Sequence, residues 1–235
     1  MRLDKFVAKS TTLSKQQIQQ KIAENAVYVN GIIIEDPAYQ VHENNKVTLN
    51  GEQLIARPSR YLLLHKPANT ICSNIDEVYP SVMTLLKTQS TLENIDQLHI
   101  AGRLDADTTG LVLITDDGRW TFNITSPAYH CPKVYRVGLS NPFKAELVTR
   151  FEQGIQLQGE KQLTLPAVIE QISEKEVLLT ITQGKFHQVK RMFAAVGNRV
   201  INLHREQIGD LKLDVACGEW RFLTAVEIAS FTSKP

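Results

Sequence analysis

Gly102-Arg103-Leu104-Asp105-Ala106-Asp107-Thr108-Thr109-Gly110-Leu111-Val112-Leu113-Ile114-Thr115-Asp116-Asp117-Gly118 sets two aspartates in a glycine-bounded loop directly before an apolar strand. Carboxylates beside a core are costly to desolvate unless they are paired or put to use. A calcium loop is one reading, because Asp105, Asp107, Thr109, Gly110 and Asp116 fall near the spacing of an EF-hand. It fails on context: 111–114 is a Leu-Val-Leu-Ile strand, and the twelfth loop position is Asp rather than a bidentate Glu. The Asp-x-Asp-x-Thr loop of magnesium-dependent phosphatases is a second reading, but there a strand leads into the first Asp, whereas here Gly102-Arg103 precedes it. Asx turns and helix caps at a surface loop are the third and ordinary outcome. A fourth reading depends on the rest of the chain.

Working outward, the chain reads as α+β with a mainly antiparallel mixed sheet. Strands are expected at 60–64, 110–115, 133–139, 167–172 and 177–182, and helices at 143–153 and 188–196, without the regular alternation of a doubly wound fold. Near the amino terminus, Leu3, Phe6 and Val7 recur at helical spacing, and Ile18 and Ile22 do so after a Ser14 N-cap, which predicts two short helices. Val27 to Ile34 then carries Asn30-Gly31 between β-branched runs, a strong hairpin signal, and a strand at 46–49 ends at Asn50-Gly51. The expected boundaries are 1–57 for a small helix-helix-hairpin domain and 60–235 for a larger one, with a linker around Arg57-Pro58. No internal repeat or low-complexity tract interrupts them.

With 43% hydrophobic and 22% charged residues over 235 positions, the composition is that of a folded globular protein. No run approaches the ~20 apolar residues of a membrane helix, and the first residues lack a signal-peptide core, so a cytoplasmic location is expected. Cys72, Cys131 and Cys217 are too scattered for a zinc or redox motif. The formal charge of +1 hides clustering. Residues 1–21 hold Arg2, Lys5, Lys9, Lys15 and Lys21 against Asp4 alone, 22–57 are acidic, and 184–205 carry Lys185, Lys190, Arg191, Arg199 and Arg205 with no acid.

Further segments stand in order around the aspartate loop: Tyr61-Leu62-Leu63-Leu64-His65-Lys66-Pro67, Lys133-Val134-Tyr135, Gly184-Lys185-Phe186-His187-Gln188-Val189-Lys190-Arg191-Met192, and Leu203-His204-Arg205 with Ile208-Gly209. With Gly-Arg-Leu-Asp-x-x-Thr-x-Gly-Leu-x-Leu-x-Thr-x-Asp-Gly they resemble the motifs of the pseudouridine synthases, in the branch that modifies ribosomal RNA. The amino-terminal module resembles the RNA-binding domain shared with the fourth protein of the small ribosomal subunit. Ile124-Thr125-Ser126-Pro127 with His130-Cys131 is most similar to members acting on 16S rRNA.

The resemblance implies an isomerase that breaks the N1 glycosidic bond of uridine and rejoins the base through C5, on a nucleotide flipped out of its stack. That reaction calls for no cofactor and no metal. Asp105 is then the essential carboxylate, acting either on the sugar as nucleophile or as a base. Lys190 holds the family's basic position, Tyr135 stacks on the flipped base, and Arg103 fills the vacated gap or holds its phosphate. Outside the motif, each has a plainer reading: a solvated helix charge, a core tyrosine, an arginine paired with Asp107. RNA contacts are expected from Arg2, Lys5 and Lys15 in the first module and from Lys185, His187, Gln188, Arg191 and Arg205 in the second. The implied partner of a monomeric chain is 16S rRNA or a small-subunit assembly intermediate, with no membrane involved. A large-subunit rRNA synthase, a non-catalytic rRNA-binding assembly factor and the magnesium phosphatase stand as alternatives.

Two departures from the family pattern bear on affinity and on a turn. The second helix starts Ser14-Lys15-Gln16-Gln17-Ile18 where the family is Ser-Arg-rich, leaving fewer guanidinium groups for bidentate phosphate contact. Asn69 stands where the Lys-Pro turn usually has Gly, and asparagine tolerates the left-handed conformation.

Overall fold

Residues 1–232 are described by the computed structural model, and they divide after Ser59 into two units. In the first, α1 (Leu3–Ser10) and α2 (Lys15–Ala23) precede β1 (Val27–Val29), β2 (Ile32–Ile33), β3 (Val47–Leu49) and β4 (Glu52–Gln53). Ser14 opens α2 with a capping box, its hydroxyl accepting from Gln17 N while the Gln17 side chain accepts from Ser14 N. Asn30 and Gly31 both take positive φ, 53° and 81°, which reverses the chain between β1 and β2. The sheet order β2-β1-β3-β4 places Val27, Val29 and Val47 against Leu3, Val7, Ile18 and Ile22 of the helices. Lys5 and Lys15 are exposed, whereas Arg2 pairs with Asp4 at 2.8 Å and Lys9 is buried, donating to Ser59 Oγ.

The second unit is built on β5 (Tyr61–Lys66), α3 (Val82–Gln89), β6 (His99–Ala101), β7 (Thr109–Thr115), α4 (Gly118–Thr125), β8 (Lys133–Leu139), α5 (Leu147–Gln153), β9 (Val168–Ser173), β10 (Glu176–Ile181), α6 (Gln188–Ala195), β11 (Val200–Ile208), β12 (Leu211–Lys212), β13 (Trp220–Phe222) and α7 (Ala225–Ala229). One mixed sheet runs β13-β5-β7-β11-β8-β10-β9, with β6 beside β7 and β12 beside β11. Apolar layers cover both faces. Leu62, Leu64, Val112 and Ile114 pack with Phe151 and Phe193 on one side, and Leu63, Leu111 and Leu113 pack with Trp120 and Ile124 on the other. Burial on both faces is why β5 and β7 read as continuous apolar runs rather than alternating ones.

The helix expected at 143–153 begins only at Leu147. Phe143 commits its N–H to Glu174 O at 2.7 Å and buries its ring, which holds the preceding residues in a turn. The nine-residue strand β11 was not foreseen, and it alone among the described strands of this sheet pairs in parallel, with β7. That pairing sets His204 opposite Thr109 and Arg205 opposite Gly110.

Gly110 is the residue that permits it. Its φ is +116°, and a Cβ there would lie 2.3 Å from Arg205 O and 2.5 Å from Arg205 N. Gly110→Ala is expected to cost at least about 2 kcal/mol of unfolding free energy by urea titration, because the parallel strands must separate. Gly118→Ala is the control: nothing lies within 4 Å of its added methyl. That helix-start substitution should be neutral or stabilise by up to about 1 kcal/mol.

Candidate active site

The loop between β6 and β7 is held by its backbone carbonyls, which accept from side chains of other strands. Arg205, 1% exposed, donates to Leu111 O at 2.8 Å, Gly102 O at 3.0 Å and Arg103 O at 3.4 Å. From the end of β5, Lys66 is wholly buried and its ammonium donates to Pro67 O at 2.8 Å and Ala106 O at 3.1 Å. Burial pushes the Lys66 ammonium below the usual lysine range, which nearby Cys72, Asp107 and Asp105 partly oppose. Asn69, at φ 58°, donates its N–H to the same Ala106 carbonyl, and Leu104 N donates to Cys72 Sγ at 3.3 Å.

Held this way, Asp105 faces a cavity of about 740 Å³ whose walls include Cys72, Leu104, Tyr135, Phe186 and Arg205. Lys190 Nζ lies 3.2 Å from Asp105 Oδ2 and 2.6 Å from Asp107 Oδ1, and His187 Nε2 lies 3.4 Å from Asp105 Oδ1. Partial burial pulls the Lys190 ammonium down, but its hydrogen bonds to Asp107 and Asp105 outweigh that and hold it above the usual lysine range. The Lys190 bond likewise holds the Asp107 carboxyl below its usual range, despite some opposing burial. Tyr135 is 8% exposed, its hydroxyl 3.4 Å from Arg205 Nη1 and its ring under that guanidinium. Burial pushes the Cys72 thiol up, so that wall of the cavity carries no ready thiolate nucleophile.

The remaining residues expected to bind RNA divide sharply. Arg103 is exposed and does not pair with Asp107, whose partner is Lys190. Lys185 and Arg191 are half-buried and share Glu160, at 2.6 Å and 3.4 Å, so the basic stretch is partly neutralised by an acid distant in sequence. Two expectations need correction. Arg205 is no surface phosphate contact, because its guanidinium is sealed beneath the loop carbonyls. Gln188 is 4% exposed and braces its own turn, accepting from Lys185 N and donating to Gln183 Oε1. Arg2, Lys5 and Lys15 belong to the other unit.

Sequence reasoning placed Lys66 and Lys133 within the family's motifs but gave neither a role; the buried Lys133 ammonium donates to Ile124 O and Cys131 O beside the cavity. A lysine closing the apolar run Leu62-Leu63-Leu64-His65-Lys66 was the available signal. Thr108 Oγ1, in the loop itself, is the one buried side-chain polar atom among the described residues with no hydrogen-bond partner.

Residues 60–195 match the family model described as RNA pseudouridylate synthase, and residues 1–47 match the S4 domain. The chain is 47% identical over 232 residues to the ribosomal small subunit pseudouridine synthase A of Vibrio cholerae, covering 98% of this chain and 99% of that one. It is 46% identical over 233 residues to the protein of the same name from Escherichia coli (strain K12), with the same coverage. A solved structure described as a pseudouridylate synthase superposes with a TM-score of 0.71 at 42% identity, covering 99% of this chain and all of that one.

Arg205→Met should lower unfolding free energy by about 3 kcal/mol or more, since it strands several carbonyls in the interior. Arg205→Lys should recover only part of the loss, because a compact ammonium lacks the planar spread of donors with which the guanidinium reaches Leu111 O, Gly102 O and Arg103 O together. Arg103→Ala, at the exposed rim, should leave the thermal melt unchanged.

Proposed function

The chain belongs to the RNA pseudouridylate synthase family and isomerises uridine in ribosomal RNA; from that premise we propose that its target is a uridine of the small-subunit rRNA, turned over at Asp105. The reaction breaks N1–C1′, turns the base and forms C5–C1′; the C5 proton leaves to solvent and N1 takes up a proton. Atoms balance without an oxidant, reductant or second substrate.

Asp105 supplies the anionic group that cleavage and rejoining need. Lys190 and His187 orient it, from 3.2 Å and 3.4 Å. Tyr135 offers its ring to the flipped uracil, and Arg103, exposed at the rim, occupies the space the base vacates or holds its phosphate. The unit Met1–Ser59 binds RNA by shape through exposed Lys5 and Lys15 with Arg2 beside them, and with few guanidinium groups it contributes modest affinity. Lys185 and Arg191 supplement it beside the cavity. The protein works as a monomer in the cytoplasm on 16S rRNA or a small-subunit assembly intermediate, and uses no metal or cofactor.

The observation that carries this reading is the cation-paired carboxylate facing a cavity large enough for a nucleoside, within the family's own Gly-Arg-Leu-Asp loop. The test is to incubate the chain and Asp105→Asn with unmodified small-subunit rRNA, free and protein-bound, and map pseudouridine by base-specific labelling and primer extension. A new stop with the parent chain, absent with Asp105→Asn while RNA binding persists, is expected, and EDTA should not abolish it. RNA affinity should fall as salt rises, following phosphate neutralisation. A stop only on large-subunit rRNA, or none on any rRNA, would overturn the assigned target.

A further inference from the structure

We propose that Phe186 and His187 form a rigid stacking platform at the mouth of the Asp105 cavity, on which a nucleobase neighbouring the target uridine rests. The inference deepens the rRNA reading and rests on it for the identity of the ligand.

Phe186 is 74% exposed, yet it is not a loose side chain. Its ring lies parallel to the His187 imidazole, with centroids 3.8 Å apart and planes 21° from coplanar. The inner member of that stack reaches the site, with His187 Nε2 at 3.4 Å from Asp105 Oδ1. The backbone beneath is braced from both sides. Arg191 donates to Phe186 O at 3.1 Å, Gln188 Oε1 accepts from Lys185 N at 2.9 Å, and His187 takes a left-handed φ of 47° to start α6. A ring whose support is already ordered loses little freedom when a ligand covers it, which is the condition for a productive stacking surface.

The surroundings select the occupant. The exposed ring stands among ion-paired polar side chains, Lys185 and Arg191 on Glu160 and Lys190 on Asp105 and Asp107, rather than in an apolar patch, so its partner must offer a flat π-face that suits polar surroundings. A nucleotide does so; an apolar protein surface does not. A base on the outer face of Phe186 continues a column of base, phenyl and imidazole that ends at the Asp105 carboxylate. The platform therefore sets how the RNA strand enters the cavity.

The test uses the full chain with a small-subunit rRNA transcript and compares Phe186→Leu with Phe186→Trp. Leucine keeps apolar bulk and removes the π-face; tryptophan restores it and adds a reporter. Phe186→Leu should weaken RNA affinity and raise KM roughly five- to hundredfold, the range of one base–aromatic stack, with kcat little changed. Phe186→Trp should bind within about threefold of the parent, and its added fluorescence should be quenched by the RNA. The thermal melts of both should match the parent, since the side chain is exposed. Parent-like affinity and KM for Phe186→Leu, or an indole in Phe186→Trp that RNA does not quench, would overturn the proposal. If the parent forms no pseudouridine on small-subunit rRNA while Phe186→Leu still loses affinity, the target assignment falls and the platform stands.

Discussion

Two buried cations whose main partners are backbone carbonyls determine where the site stands. Arg205 and Lys66 are at most 1% exposed, and between them they hold Gly102, Arg103, Ala106 and Leu111 by their oxygens. Burying a charge is expensive, and the cost is offset here by several donor–acceptor bonds per cation. Among the described residues, no carboxylate is hydrogen-bonded to either one. Asp105 lies close enough to Lys66 to oppose, in part, the effect of burial on that ammonium.

That arrangement reaches back to a single backbone event. Gly110 lets β11 run parallel to β7 in a contact closer than any side chain allows, and this sets Arg205 against the loop from a strand far along the chain. Lys190 then arrives on α6 and pairs with Asp107 across 83 residues of sequence, leaving its second contact for Asp105. The two aspartates thus differ in circumstance: Asp107 is 72% exposed and tied most closely to Lys190, while Asp105 is 28% exposed and turned to the cavity.

Much of this was legible because it is local. The Ser14 capping box, the left-handed Asn30-Gly31 turn and the apolar strands lie in adjacent residues, where propensity and period speak directly. Strand β11 hid behind His204-Arg205-Glu206-Gln207, a charged run that looks solvated until the carbonyls buried with Arg205 are known. Helix α4 was hidden differently. Asp117 caps it by accepting from Arg119 N and Trp120 N, but in the sequence it merges with the acidic end of the loop motif. Motif resemblance pointed to Asp105, Tyr135 and Lys190 as the centre of the site, yet it did not separate surface cations from buried ones. Arg205 and Gln188 carry the same letters as RNA ligands and are instead parts of the frame, and Glu160 neutralises Lys185 and Arg191 from a segment that no pattern connects to them.

On the proposed function, the fixed position of the Asp105 carboxylate matters more than its charge. Tritium release from RNA labelled at uridine C5 tests this, because the isotope leaves when C5 bonds to the sugar. Under single-turnover conditions, Asp105→Glu, which keeps the charge and shifts it by one methylene, should release tritium at least ~100-fold more slowly than the parent while binding RNA equally well. Release within about tenfold of the parent rate would contradict the account, since a carboxylate that works from a displaced position needs no such frame.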